Sequence, residues 1–316
     1  MKKAIKGIAF FLLLCILVES ISIALLPLDK VKKYGLYNTS AYEIVAEKDD
    51  SVDTLFLGDS LVYSSISPME IWNEYGYTSY DCAQPAQIMP YAYDYLEVAI
   101  ESQHPKLVFI EANILFRDPK KLPFYKKVAY RISNYVPIVK YHSNWKKYFT
   151  SDKNSWLNVN KGYIYITGIK PSKKDKLNYM YDNDGEAVEV SILPENLEYF
   201  DKMIELCEKN DVELVLLAVP SQKSWSYSKY KIVKDLAKSK ELEFLDFNID
   251  NDLDIDWATE TKDKGNHVNY WGAKKVSDYL GAYMNKMGIL VDHRDDNYYK
   301  SWKTAYSLYK EKLKDR

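Results

Sequence analysis

The chain opens with an apolar run from Gly7 to Leu28, interrupted only by Glu19, Ser20 and Ser22 and preceded by Lys2, Lys3 and Lys6. At about 1.5 Å of helical rise per residue the run spans roughly 30 Å, the thickness of a bilayer core. A helix packed in a soluble core would instead be amphipathic. A cleavable signal peptide is the rival, because Ser22-Ile23-Ala24 offers small residues at cleavage spacing. The length of the run favours a retained transmembrane anchor. Its N-terminal lysines place the N-terminus in the cytoplasm and the rest of the chain outside, although Lys30, Lys32 and Lys33 weaken that asymmetry.

Beyond a short linker, buried-strand patterns alternate with amphipathic ones, which predicts a parallel sheet covered by helices on both faces. The spacing predicts strands over Asp53–Leu57, Tyr77–Cys82, Lys106–Glu111, Glu213–Val219 and Glu243–Phe247. It predicts helices over Pro68–Tyr75, with Ser67 as cap, and over Met89–Ser102, Leu197–Lys209, Lys229–Lys240 and Trp271–Lys286. From about Arg117 to Ile192 the period lapses in a stretch rich in Lys, Tyr, Asn and Asp, too long for a bare loop and expected to form a lid or substrate-binding insertion. Its aromatics, among them Tyr125, Tyr130, Tyr141, Trp145, Tyr148, Trp156, Tyr163 and Tyr165, suit either stacking on sugar faces or packing of the insertion on the core.

Composition narrows the function classes. Lys and Arg number 43 against 45 Asp and Glu, so no basic field exists to hold a nucleic acid. No His-x-x-x-His or Cys-x-x-Cys spacing occurs, and no metal or other cofactor is expected. Cys15 lies in the anchor; Cys82 and Cys207 leave one disulfide open without any spacing that demands it.

Candidate chemistry begins where the first strand runs into Gly58-Asp59-Ser60. Beyond the carboxyl ends of parallel strands lies the ligand crevice, so Ser60 would stand at its mouth with its own N–H free to meet an oxyanion. A serine needs a base oriented by a carboxylate. Of the four histidines, His104 precedes Pro105 in a turn and His293 lies in a charged tail, so both read as solvated. His142 falls in the insertion, whereas His267, in Asp263-Lys264-Gly265-Asn266-His267, opens the last helix on the Ser60 side of the sheet.

These two blocks resemble the SGNH (GDSL) hydrolases, in which a Gly-Asp-Ser segment follows the first strand and an acid and histidine share a late block before the last helix. The resemblance runs from about Val52 to Met287, the insertion excepted. The anchor and the His267-Val268-Asn269-Tyr270-Trp271-Gly272-Ala273 stretch are similar to bacterial cell-surface members of the alginate O-acetylation and D-alanyl-teichoic-acid transfer type, which work beside membrane-bound O-acyltransferases. The resemblance implies a flavodoxin-like three-layer sandwich, here with an anchor (1–33), a linker (34–50), a hydrolase-like domain (51–290) carrying the insertion (117–192), and a charged helical tail (291–316). It implies Ser60 as nucleophile, His267 as base, and an oxyanion hole from Ser60 and Asn113, the asparagine two residues past Glu111; the family's oxyanion glycine has no counterpart in Asp81-Cys82-Ala83-Gln84, where a main-chain N–H of Ala83 or Gln84 would replace it. Lys264 occupies the family's usual acid spacing, leaving Asp263, reached through a bulge at Gly265, or else Asp256. Asp59, His142, Trp145 and Tyr163 are further candidates for substrate contact. The expected activity is acyl transfer to, or ester hydrolysis on, a cell-envelope polysaccharide or teichoic-acid-like polymer, with a membrane-bound O-acyltransferase as partner. A non-catalytic glycan-binding or accessory protein on the same fold is the alternative.

Overall fold

A computed structural model describes residues 2–24, 43–121, 158–173, 179–182, 190–249 and 253–314. Five short apolar segments, β1 (Thr54–Gly58), β2 (Ser79–Ala83), β3 (Leu107–Glu111), β4 (Glu213–Ala218) and β5 (Glu243–Asp246), form one sheet in the order β2-β1-β3-β4-β5, every pair parallel. The first three are buried along their whole length, as expected for strands covered on both faces. Each strand end lies within two residues of the sequence expectation.

Strand alternation divides the core in two. Leu55, Leu57, Val108, Ile110, Leu214 and Leu216 face helices α4 (Met89–Gln103), α5 (Pro194–Lys209) and α6 (Tyr227–Ser239). Phe56, Phe109, Val215 and Leu217 face the opposite layer, built by α2 (Val62–Ser65), α3 (Pro68–Tyr75) and α7 (Tyr270–Met287). The result is a three-layer α/β/α sandwich whose strand order is that of flavodoxin-like proteins, with the topological switch at β1 between β2 and β3.

The C-terminal segment is part of this core. Helix α8 (Lys300–Lys314) buries Trp302, Ala305 and Tyr309, and the Trp302 ring lies 5.5 Å from that of Trp72 on α3. His293, expected in solvent, bonds through Nε2 to Asp53 Oδ2 at 2.6 Å and stacks on Tyr299 at 3.8 Å. Its partners come from opposite ends of the chain, which no local pattern reveals. His104 is exposed but bonds to Asp50. Deleting the fully buried Trp302 ring by Trp302→Ala should cost about 3–5 kcal/mol in urea unfolding; a loss under about 1 kcal/mol would show the tail to be an appendage.

Cys82 and Cys207 are buried and free. Helix α1 (Lys2–Ala24) exposes Ile8, Phe10, Phe11, Leu13, Ile16 and Leu17. Among the described residues no helix is long and apolar enough to cross a membrane; side chains of α1 are described only over 5–21. Of the expected insertion only 117–121, 158–173, 179–182 and 190–192 are described, and His142 and Trp145 lie outside the described residues.

Candidate active site

β1 delivers Ser60 through a turn that only glycine can begin. A Cβ on Gly58 would stand 2.3 Å from Val62 Cγ2 and 2.8 Å from Glu111 Cβ, too close for any other residue without displacing α2 or β3. Asp59 then turns inward and is fully buried. Its Oδ1 accepts from Leu61 N at 2.9 Å, and its Oδ2 accepts from Arg117 Nε at 2.7 Å and from Arg117 Nη2. This corrects the expectation that Asp59 touches substrate: both its oxygens are used inside the protein to hold the turn.

The base arrives on the loop before α7. Lys264 and Gly265 both take left-handed backbone angles, φ 67° and 89°, so the bulge expected at glycine spans two residues. A side chain at Gly265 would also meet Gln222 Oε1 at 2.4 Å. The bulge folds Asp263 back on His267: Oδ1 accepts from the His267 main-chain N–H at 2.7 Å and Oδ2 lies 2.5 Å from ring Nδ1. His267 Nε2 lies 2.8 Å from Ser60 Oγ. A carboxylate only accepts, so Nδ1 carries the ring proton and Nε2 is left to receive the serine's. Asp256 is elsewhere, accepting from Ala258 N at 3.1 Å and from Thr259 Oγ1 at 2.7 Å as a turn cap.

No protein-family model matches the chain, and no curated protein matches it. Among solved structures it is similar to a GDSL-like lipase from Bacteroides thetaiotaomicron, with 12% identity over 78% of this chain and 99% of that one at a TM-score of 0.38. A psychrotrophic esterase from Pseudoalteromonas matches with 11% identity over 74% and 97% at 0.40. A lipase/acylhydrolase from Enterococcus faecalis matches with 10% identity over 76% and 97% at 0.36. Overlaps this loose carry no argument about activity. The weight rests on the side chains.

The oxyanion candidates flank Ser60 because β1 lies between the strands that bear them. Ala83 pairs with Gly58 at the end of β2, with Gln84 next to it and buried. On the other side Asn113 sits in the 3-10 turn Ala112–Phe116 that follows β3, its N–H donated to Glu111 Oε2 at 3.2 Å. Asn113 Oδ1 accepts from Lys229 Nζ at 2.7 Å. Asn113→Ala should lower turnover by roughly two orders of magnitude, the usual effect of deleting one oxyanion donor. A folded variant with unchanged turnover would remove Asn113 from the site.

Charge is arranged to keep Asp263 ionised. Burial opposes its ionisation, but the hydrogen bonds from His267 and the nearby charges of His267 and Lys262 outweigh that and hold the carboxyl below its usual range. Burial lowers Lys262, whose Nζ donates to Ser64 Oγ at 2.7 Å. Beneath the serine, burial and then the charge of Asp59 push the Glu111 carboxyl well above its usual range. Burial raises the Tyr63 hydroxyl, the neighbouring Ser60 side chain opposing that rise and the charge of Asp59 adding to it.

Arg117, Lys229, Lys262 and Tyr63 were not singled out in the sequence. Only Tyr63 carried a signal, since three residues past the nucleophile it returns to the same side of the turn. Arg117 and Lys229 reach in from separate elements, and Lys262 from beside Asp263 on its own loop. Tyr163, expected at a substrate face, is buried in the core on the α2/α3/α7 side of the sheet; burial raises its hydroxyl far above the usual range. Its ring packs the insertion's return segment on the core. Among the described residues no group of three His, Cys, Asp or Glu is placed to hold a metal ion.

Proposed function

We propose that this chain is a serine acyl-ester enzyme of the SGNH type that transfers or hydrolyses acyl groups, O-acetyl above all, on a cell-envelope polysaccharide or teichoic-acid-like polymer. The observation that carries the reading is the unbroken hydrogen-bonded chain from Ser60 Oγ through His267 to the Asp263 carboxylate. Ser60 Oγ bonds to the acyl carbon while its proton passes to His267 Nε2, giving a tetrahedral oxyanion facing the N–H groups of Ser60 and Ala83 or Gln84 and the Asn113 amide. Collapse breaks the bond to the leaving oxygen, which takes that proton from His267. Water or a sugar hydroxyl then attacks the acyl-serine, passing its own proton to His267 and from there back to Ser60. Transfer and hydrolysis share the acyl-enzyme and differ only in this acceptor.

Incubation with p-nitrophenyl acetate tests the reading. A burst of nitrophenolate should accompany acetylation of the peptide that contains Ser60. A folded protein that gives neither would favour the accessory, glycan-binding alternative.

The place of action we propose is the outer face of a membrane. The support is the ring of exposed apolar side chains on α1 over residues 5–21, the continuation of the apolar run in the sequence to Leu28, and the lysines at its start. A membrane-bound O-acyltransferase is the partner this placement suits. Alkaline carbonate should leave the full chain in the membrane pellet, with the region after about residue 43 open to protease added outside intact cells. Release into the supernatant, or protection from that protease, would contradict the anchor.

A further inference from the structure

An oxyanion hole that uses an asparagine has a built-in ambiguity, because the amide's carbonyl and NH2 ends have nearly the same shape. One orientation offers donors to the reacting oxygen, and the flipped one offers an acceptor that repels it. In this protein Lys229 stands at that amide. The lysine lies in the first turn of α6, three residues past the Ser226 cap whose hydroxyl accepts its N–H at 3.3 Å. From there its Nζ reaches Asn113 Oδ1 at 2.7 Å and Ser224 O, also at 2.7 Å. An ammonium group has three donors and no acceptor, so it tolerates only the carbonyl end of the amide.

The lysine's placement is costly in two ways. Burial lowers its affinity for a proton, and the N-terminal turn of a helix is the wrong end for a cation. Such local conflicts are expected where a residue serves a site rather than its own element.

The rest of the turn is tied down from the same direction. Glu111 Oε2 takes the Asn113 main-chain N–H, and Arg117, which ends the Ala112–Phe116 turn, grips Asp59 beside Ser60. The backbone of Asn113 is thus set relative to the nucleophile, and only its amide remains to be oriented. We propose that Lys229 is a positioning residue for the acyl chemistry of Ser60: it holds Asn113 by Oδ1 so that Nδ2 faces the oxyanion. The inference rests on the function proposed above.

The test is the rate of phosphonylation by a fluorophosphonate probe, resolved into its saturating rate and half-saturating concentration. Lys229→Met should lower the saturating rate roughly tenfold, less than outright loss of the donor, while the half-saturating concentration stays within about twofold. Lys229→Arg, which keeps a donor-only head, should stay within about threefold of the parent rate. The double variant Lys229→Met, Asn113→Ala should be no slower than Asn113→Ala alone, since a residue acting through another adds nothing once that one is gone.

Two results overturn the inference while leaving the function standing: parent-like labelling in a folded Lys229→Met protein, or a double variant slower by the full product of the two single losses. If Lys229→Met does not fold, Lys229→Gln decides. Its head presents an acceptor as well as donors and lets the amide flip, so the inference requires slower labelling than Lys229→Arg, and equal rates overturn it. Absence of Ser60 labelling in the parent protein itself would remove the function and this inference together.

Discussion

Ser60→Ala is expected to lower acyl-ester turnover on the order of 10⁶-fold, the scale seen when a nucleophile that works as one unit with its base is removed. Ser60 Oγ is the atom His267 Nε2 addresses, at 2.8 Å, and an alanine gives the base nothing to deprotonate. The residual rate would come from the oxyanion donors and binding alone, about 10³–10⁴ over water. For the same reason His267→Ala added to Ser60→Ala should cost nothing more. Turnover of p-nitrophenyl acetate measures both, and a Ser60→Ala enzyme retaining a tenth of the parent activity would place the chemistry elsewhere.

Asp263→Asn should be the next most damaging change, with a loss of about 10⁴-fold in kcat and little change in fold. The carboxylate now accepts from both the ring Nδ1 and the main-chain N–H of His267. An asparagine that presents its NH2 to the ring moves the imidazole proton to Nε2, where it blocks proton transfer from Ser60. Circular dichroism would show the fold intact while kcat falls. A loss below about tenfold would mean that His267 is oriented by other groups.

How far the sequence disclosed this site depended on whether the signal was local. Buried strands such as Leu55-Phe56-Leu57 are continuous apolar runs, and their order of appearance, alternating with helices, was enough to place Ser60 and His267 on one side of the sheet. The bulge at Lys264 and Gly265 was half legible, because glycine advertises a positive φ and lysine does not. What stayed hidden were polar groups whose partners are far along the chain. Asp59 looked available to substrate until Arg117, 58 residues on, closed over it. Lys229 looked like an ordinary helical lysine until its partner, 116 residues away, placed it at Asn113. Lys161 is fully buried, bonded to Glu47 at 2.7 Å and set over the Trp302 ring, inside the stretch expected to form a lid or substrate-binding insertion, where no local pattern marked it. In α8 the apolar stripe of Trp302, Ala305 and Tyr309 was present in the sequence, but the surrounding lysines masked it.

A fluorophosphonate probe applied to the intact protein, followed by peptide mass spectrometry, asks directly whether Ser60 is an activated nucleophile. One adduct per chain is expected, on the peptide that begins in β1 and contains Ser60, lost in Ser60→Ala and strongly slowed in His267→Ala. No adduct on folded parent protein, or an adduct on another residue that persists in Ser60→Ala, would contradict the catalytic reading.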